Sequence, residues 1–329
     1  MSVLPSLAVS LGYWQDRPAG EAMLTARHAE ELGYERLWIG EMATYDAFAL
    51  ATRIGMETRL ELTVGPLAVA VRDPMLIARG VASVADLVGR GVNVAVGTSS
   101  PLVVSHWHGR SRERSATVLR ESVLALQSLL AGDKTDFRGD AVTTRGYHLR
   151  LDAPKTSIAV AAFGPSAVRT AARHADRMVL NLITPASAAS LVAQMREEAA
   201  SAGAAAPQVT AWVTAAHGDD PEAVDQIRRG VVGYLAAPGY GEMFIEAGFG
   251  DLVAFARTRP HPKDLLAAVP RELIASVGLL GGDEEVRAQL AAYAEAGVDE
   301  VAVVPASVDG DLGGRATLQN LLRVAGQSA

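Results

Sequence analysis

The sequence predicts an α/β fold, a (β/α)8 or TIM barrel with insertions after its fourth and seventh strands. Three observations favour it: short apolar runs alternate with helical patterns, eight such runs occur, and most connections between them are short. Right-handed crossovers make closure of eight such units natural, and an open doubly wound sheet is the alternative. The predicted strands are Ser6–Leu11, Arg36–Gly40, Leu60–Val71, Val92–Gly97, Ser157–Ala162, Arg177–Leu182, Val209–Ala216 and Glu300–Pro305.

The stretches between these runs have the pattern of helices that cover a sheet. Apolar residues recur at positions i, i+4, i+7 and i+11 over 77–88 and 119–130, and the same spacing, closing on Gly297, recurs over 286–297. Pro74 is placed for a first helical turn, and Gly33 and Gly297 are placed where helices would end. Each strand is therefore expected to be followed by an outer helix.

Two connections are too long for simple turns. The first insertion covers about residues 132–155 and includes a segment with strand-like alternation, Ala141–Leu151. The second covers about residues 234–270 and contains a turn at Pro238–Gly241 and a break at Arg259–Pro262. Segments of this size usually form lids or binding walls. Because neither insertion has a core pattern of its own, residues 1–329 are interpreted as one domain.

Composition excludes several classes of protein. The chain has no cysteine, which excludes disulfides, iron–sulfur clusters and thiol nucleophiles. A net charge of −7 argues against nucleic acid or an anionic membrane as the main partner. No apolar stretch is long enough to span a membrane and the first residues lack a secretory pattern, so a cytoplasmic protein is expected. The Arg- and Ala-rich usage is typical of a GC-rich, actinobacterial genome.

The end of the fourth predicted strand is the clearest candidate for a ligand site. Its apolar run breaks at Gly97, which removes a side chain where the backbone leaves the sheet. Thr98 and Ser99 then supply hydroxyl and N–H groups. Ligands of parallel α/β folds gather at the carboxyl ends of strands, although an ordinary turn would have the same sequence.

Segments along nearly the whole chain resemble the luciferase-like superfamily of flavin and deazaflavin oxidoreductases. The similar segments are Ala29–Glu41, Arg72-Asp73-Pro74 with Leu87–Arg90, Val96–Thr98, Phe163–Ser166 with Ala175–Arg177, and Gly281–Val286 with Ala296–Asp299. The most similar subgroup depends on coenzyme F420. The resemblance implies a TIM-like barrel that binds F420, or alternatively FMN, at the carboxyl ends of the strands.

The resemblance also implies which residues hold the cofactor. A bulge with a cis peptide would support the middle ring, and a helix that opens directly after a strand would bind the phosphate through its free N–H groups. A bulge without a ligand and an ordinary capped helix start are the alternatives. The implied cofactor residues are Val64, Gly65, Pro66, Gly97, Thr98, Ser99, Gly164, Pro165 and Ser166.

The candidates for proton transfer are Glu41 at the end of the second strand and His106 and His108 in a loop after the fourth. The alternatives are a structural salt bridge or helix cap for Glu41 and a helix-capping or packing role for the histidines. Arg169 and Arg173 are interpreted as a solvated helix face. The expected substrate pocket is formed by Tyr13, Trp14 and Trp107.

Some positions depart from the family pattern. Met42 and Ser100 stand where related sugar and alcohol dehydrogenases have a histidine and a glutamate, and the first strand lacks the acid expected of a methylene-pterin reductase. These departures argue against those reactions and against light emission. The predicted activity is hydride transfer between F420 and a C=C, C=N or C=O group of a small substrate.

Alternative functions are an FMN-dependent monooxygenase that uses O2 and a non-catalytic cofactor-binding paralogue. A metal hydrolase based on His106 and His108 is disfavoured because no third ligand accompanies them, and no metal is expected. The expected partners are a small-molecule substrate, a second copy of the chain in a homodimer, and a separate enzyme that supplies reduced cofactor.

Overall fold

The computed structural model describes residues 3–12, 16–41, 43–152 and 156–327. In chain order the first elements are β1 Ser6–Ser10, α1 Glu21–Glu31, β2 Arg36–Ile39, α2 Ala47–Glu57, β3 Glu61–Ala68, α3 Pro74–Val88, β4 Asn93–Gly97, a π-helix Leu102–Trp107, α4 Ser115–Leu130, β5 Asp136–Arg138, β6 Thr143–Arg145, β7 Ile158–Ala161, α5 Pro165–His174 and β8 Arg177–Asn181. They are followed by α6 Pro185–Ser201, β9 Gln208–His217, α7 Pro221–Val232, α8 Tyr240–Glu246, α9 Gly250–Arg257, α10 Pro262–Ala268, α11 Arg271–Ser276, β10 Gly278–Gly281, α12 Asp283–Glu295, β11 Glu300–Pro305, a 3-10 turn Leu312–Gly314 and α13 Arg315–Ala325.

Contacts divide the chain into two compact units. One contains residues 1–34, 180–192 and 209–329, and the other contains residues 35–179 and 193–208. In the first unit β1 pairs with β11, β11 with β9, and β9 with β10, and every pair is parallel. Its buried strand residues include Val9, Val213 and Val303, each fully shielded from solvent.

The second unit is built on a parallel sheet with the strand order β2, β3, β4, β7, β8. Helices follow β2, β3, β4 and β7 along the chain. The helix α3 shows how the sequence sets their ends. Asp73 accepts a hydrogen bond from the N–H of Leu76 at 2.9 Å, Pro74 occupies the first turn, and Gly89 ends the helix with φ 70°. The start predicted at Pro74 is confirmed.

The structure contains all eight predicted strands, with some differences at their ends. The third ends at Ala68 and not at Val71, because the N–H groups of Val71 and Arg72 both turn back to the carbonyl of Ala68. The sequence pattern did not predict β10, because Gly278–Gly281 begins and ends with glycine and has none of the β-branched or aromatic residues that are typical of strands. This additional parallel strand pairs with the end of β9, from Thr214 to His217.

Both predicted insertions contain secondary structure. The first carries a short antiparallel hairpin of β5 and β6, so only Thr143–Arg145 of the predicted alternating segment is a strand. The second holds α8, α9 and α10, with Gly239 before α8 at φ 84° and a break before Pro262, where His261 caps α10. No helix in the described ranges is both long enough and apolar enough to cross a membrane.

The first hairpin is held to α4 by one buried carboxylate. Glu121 is 2% exposed, and its oxygens accept hydrogen bonds from the backbone N–H groups of Asp140, Ala141 and Val142 at 3.0, 2.8 and 2.9 Å. Burial raises the pKa of Glu121, but these three donors lower it by more, so the pKa lies below its usual value. The charged form of Glu121 therefore stabilises this insertion.

We expect the substitution Glu121→Gln to lower the free energy of unfolding by about 1–3 kcal/mol at pH 7, because one amide oxygen replaces two charged acceptors. A carboxyl with a lowered folded pKa stabilises above its unfolded pKa of about 4.3 and loses that contribution as the pH falls further. Urea unfolding at pH 7 and in steps below pH 4 should therefore show the two proteins converging in acid. Glu197→Gln, at an exposed position of α6, is the control. A gap that stays constant down to pH 3 would contradict the assignment.

Candidate functional site

The candidate site lies at the carboxyl ends of neighbouring parallel strands of the second unit. Glu41 follows β2, the segment 64–67 lies within β3, Gly97 ends β4, and Gly164 follows β7. Because these strands are consecutive neighbours in the sheet, their ends lie along one edge at a spacing of about 4.8 Å. All the predicted cofactor residues therefore lie along this edge.

A bulge interrupts β3 where the sequence places Gly65 and Pro66. Val64 pairs with Val94, but Leu67 pairs with Val96, so the register shifts between them. The Gly65–Pro66 peptide bond is cis. Gly65 has φ 120°, and a Cβ there would lie 2.1 Å from the carbonyl oxygen of Ala95. The bulge with a cis peptide is confirmed, and only glycine fits its first position.

Gly97 brings three strand ends into contact. A Cβ at Gly97 would lie 3.1 Å from the Cβ of Ala161 on β7 and 3.8 Å from the Cβ of Pro66 on β3. The carbonyl of Gly97 also accepts a hydrogen bond from the N–H of Val69 at 3.1 Å. The absence of a side chain at Gly97 therefore lets the bulge of β3 and the end of β7 approach each other across β4.

The residues after Gly97 form a fixed loop with exposed polar groups. Thr98 is half-buried and Ser99 is exposed, with the positive φ of 58° that non-glycine residues seldom adopt. The guanidinium of Arg112 donates to the carbonyl of Ser99 at 2.8 Å, and the hydroxyl of Ser100 accepts from the N–H of Val103 at 3.3 Å. These bonds hold the backbone of the loop while the hydroxyl of Ser99 faces solvent.

The helix α5 begins where the resemblance implies a phosphate site. Gly164 is extended, Pro165 forms the first turn, and no side chain caps the helix. Open space surrounds this end, since a Cβ at Gly164 would meet no atom within 4 Å. Ser166 is exposed beside it. Pro165 has no N–H, and the N–H of Ala167 donates to the carbonyl of Gly164 at 3.0 Å. Among the described residues, the N–H groups of Gly164 and Ser166 make no backbone hydrogen bond, so these two and the positive end of the helix dipole are what a phosphate could use.

Glu41 is engaged by an arginine that sequence analysis did not assign to the site. Its carboxylate accepts a hydrogen bond from Nε of Arg72 at 2.8 Å and a second from Nη2, and Arg72 also bonds Asp46. Asp46 caps α2, and the guanidinium of Arg72 lies 5.2 Å from the ring of Phe48. The hydrogen bond to Glu41 is the largest of the effects that raise the pKa of Arg72. Glu41 therefore forms a salt bridge, which was the alternative to a role in proton transfer.

A double-mutant cycle measures this pair. We expect Glu41→Gln and Arg72→Met to be coupled by about 1–2 kcal/mol in unfolding free energy, because both side chains are only 22% exposed and the contact is bidentate. Chemical denaturation of the two single variants and the double variant supplies the numbers. Arg36→Met with Glu61→Gln, a more exposed pair at 3.3 Å, should give coupling near zero. Equal coupling in both cycles would contradict a special role for Arg72.

The histidines predicted to lie in a loop after β4 lie instead at a π-helix, so that expectation is wrong. His106 is inside it and His108 follows its last residue, because the N–H of His108 donates to the carbonyl five residues earlier, that of Val103. Nδ1 of His106 contacts the carbonyl of Pro101 at 3.2 Å, which assigns the proton to Nδ1 in the neutral ring and leaves Nε2 available. Both histidines are exposed, and Trp107 between them is 44% exposed.

Other predicted residues lie outside the site or outside the described ranges. Arg169 and Arg173 bind the carboxylate of Glu198, each at 2.8 Å, on the exposed side of α5. Tyr13, Trp14 and Met42 lie outside the residues that the structure describes. The described residues contain no group of three or more metal-binding side chains that could hold an ion.

The chain belongs to the luciferase-like monooxygenase family, whose model matches residues 4–300. One relative, from Mycobacterium tuberculosis, is named as a coenzyme F420-dependent oxidoreductase; it is 24% identical over 92% of this chain and 96% of its own. A second, the 5,10-methylenetetrahydromethanopterin reductase of Methanolobus tindarius, is 25% identical over 54% of this chain and 55% of its own. In that comparison the chain spans about half the length of the relative.

Solved structures show the same fold. An F420-dependent secondary alcohol dehydrogenase, bound to an F420–acetone adduct, superposes with a TM-score of 0.80 and 17% identity over 98% of this chain and 99% of its own. The oxygenating component of 3,6-diketocamphane monooxygenase from Pseudomonas putida, in complex with FMN, superposes with a TM-score of 0.71 and 17% identity over 99% of both chains. The chain thus has the predicted TIM-barrel fold, and the fold alone does not choose between F420 and FMN.

Proposed function

We propose that this protein is an F420-dependent oxidoreductase that transfers a hydride between the deazaflavin and a C=C, C=N or C=O group of a small organic substrate. The observation that carries the proposal is the contact of Pro66, Gly97 and Ala161, which joins a bulge, a glycine and the strand before an uncapped helix along one sheet edge. Relatives whose names describe them as F420-dependent favour this cofactor over FMN.

The residues of this edge fit a ligand with a flat ring and a phosphate. The side-chain positions of Gly65 and Gly97 are filled by Ala95 and Ala161, so a planar ring would approach the bulge at Pro66, which is half-buried. Thr98 and Ser99 offer hydroxyl groups, and the N–H groups of Gly164 and Ser166 would donate to the phosphate at the start of α5. Val64, Gly65 and Pro66 would lie beneath the ring, while Gly164, Pro165 and Ser166 would surround the phosphate.

When bound in its reduced form, F420 supplies the hydride, and a proton completes the reduction at the other atom of the substrate bond. The carboxylate of Glu41 accepts two hydrogen bonds from Arg72. We therefore assign to Glu41 a positioning role, in which it holds the guanidinium of Arg72 at the end of β2. Nε2 of His106 is free to carry the proton, and its ring is positioned by the contact of Nδ1 with Pro101. Trp107 would cover an apolar part of the substrate.

A titration of the purified protein with oxidised F420 and, separately, with FMN tests the proposal. Quenching of cofactor fluorescence gives both dissociation constants, and we expect FMN to bind at least about tenfold more weakly than F420. The reverse order would favour a monooxygenase that uses reduced FMN and O2, the function of the FMN-bound structural relative, and O2 consumption would then be measured. Binding of neither cofactor would leave a non-catalytic paralogue.

We also propose a cytoplasmic homodimer that receives reduced F420 from a separate enzyme. The acidic, Ala-rich composition supports solubility and is compatible with pairing through outer helices. Size-exclusion chromatography with light scattering tests the dimer, and a monomer at micromolar concentration would contradict it.

A further inference from the structure

A short segment after β4 carries net positive charge in this acidic protein. Residues 106–114 contain two histidines, three arginines and a single acid, Glu113, whereas the whole chain has a net charge of −7. This basic segment begins seven residues after the candidate cofactor residue Ser99. Arg112, two residues before the end of the segment, donates a hydrogen bond to the carbonyl of Ser99. The proposed hydride transfer uses only His106 of these residues, so the other charges have no assigned role.

Hydrogen bonds hold the basic segment against the end of β4. The backbone N–H of Arg110 donates to the carbonyl of Val104 at 2.9 Å, and the guanidinium of Arg112 reaches back to the carbonyl of Ser99 at 2.8 Å. Val104 itself is fully buried. The segment is therefore positioned along the sheet edge that carries the candidate cofactor residues.

The three arginines differ in what they bind. Arg114 donates to the carbonyl of Asp140 at 3.1 Å and lies 3.8 Å from its carboxylate. Arg112 donates to the carbonyl of Ser99. Within the described residues, the guanidinium of Arg110 makes no hydrogen bond or ion pair, and it is exposed. Arg110 thus offers a fork of donors to a ligand, three residues after the exposed indole of Trp107.

We propose that Arg110 and Trp107 form a subsite for a carboxylate-bearing part of a bound ligand. A guanidinium binds a carboxylate through two parallel hydrogen bonds, and the exposed indole three residues earlier on the same segment would cover a planar or apolar portion of the same ligand. Two sources present this chemistry: the oligoglutamate tail of F420, which extends beyond the phosphate, and an aromatic acid as substrate. FMN carries no carboxylate, so occupancy by the tail would also favour F420. The proposal rests on the proposed function for where the ligand lies.

The first arm of the test compares cofactors. Fluorescence titrations use F420 with four or more glutamates and F420 without glutamates, on the wild type, Arg110→Met and Arg114→Met. If the tail is the source, Arg110→Met weakens binding of the tailed form about fivefold to tenfold and leaves the tail-free form unchanged. Arg114→Met removes the same charge from the same segment outside the subsite and should change neither.

The second arm needs no cofactor. Isothermal titration with naphthalene-2-carboxylate and with the uncharged naphthalene-2-carboxamide measures whether the protein prefers the acid. If a substrate acid is the source, the wild type binds the carboxylate at least about fivefold more tightly than the amide, and Arg110→Met abolishes that preference while Arg114→Met keeps it.

An effect of Arg110→Met in either arm supports the subsite and identifies the source. If Arg110→Met equals the wild type in both arms, the subsite is overturned. The proposed function fails separately, when the wild type binds neither form of F420, and the second arm still decides the subsite in that case. The guanidinium of Arg110 has no hydrogen-bond or ion-pair partner among the residues that the structure describes, so its replacement should leave the melting temperature unchanged.

Discussion

The substitution Gly65→Ala should destabilise the protein by about 3 kcal/mol or more, enough to prevent folding near 37 °C for a marginally stable domain. The added Cβ would lie 2.1 Å from the carbonyl oxygen of Ala95 and 2.8 Å from the N–H nitrogen of Leu67. Both contacts are with backbone atoms inside the sheet, which cannot move aside as the end of a flexible side chain could. The φ of 120° adds conformational strain for any residue with a Cβ.

Thermal and urea unfolding of the purified variant give the loss directly. Gly109→Ala is the matched control, because Gly109 also has a positive φ, 60°, but a Cβ there would meet no atom within 4 Å. The control should lower the free energy of unfolding by only about 1 kcal/mol, which is the effect of the backbone conformation alone. Similar losses in the two variants would mean that the clash with Ala95 is relieved by a small shift of the strands.

The substitution Ser166→Glu should separate ligand binding from stability. We expect it to weaken F420 and FMN alike by about a hundredfold, because a carboxylate would occupy the first turn of α5 and repel the phosphate. Ser166 is exposed and its side chain contributes no cap, so folding should not suffer. An acid at a helix start is itself stabilising, by about 0.3–1 kcal/mol.

Fluorescence titration and thermal unfolding of the same preparations test both halves of this expectation. Ser166→Gln is the control, because it adds nearly the same volume without the charge, and it should weaken binding far less than the glutamate. If Ser166→Glu binds both cofactors as tightly as the wild type, the phosphate does not bind at the start of α5. Equal losses in both variants would assign the effect to bulk and not to charge.

Periodicity was sufficient to predict the barrel but not its additional strand. Repeating apolar runs and Gly and Pro punctuation are local signals, and they predicted helices such as α3 to within their caps. The four residues of β10 become a strand only because β9 extends far enough to pair with them. Such a strand depends on tertiary contacts that no local pattern contains.

The sequence predicted the parts of the candidate site that are formed by backbone conformation. It did not predict the contact between two side chains that are far apart in the chain. Gly65 and Pro66 form the bulge inside β3, and Gly97 and Gly164 lie where β4 and β7 end. These residue types suit tight backbone, and they can be read directly from a sequence. The contact of Glu41 with Arg72 joins residues 31 positions apart. The sequence identified Arg72-Asp73-Pro74 as a motif, but only the fold shows that Arg72 bonds Glu41.

The way Glu121 binds the first insertion makes that turn tolerant of sequence change. Apart from Arg120 on α4, which donates to it at 3.2 Å, its carboxylate bonds only backbone N–H groups of the insertion, and every amino acid except proline supplies one. Positions 140–142 can therefore diversify freely between relatives, with proline excluded from each. Gly139 is the exception, because a Cβ there would lie 2.2 Å from the carboxylate of Glu121. The insertion can thus acquire new side chains for new ligands while its attachment to α4 is preserved.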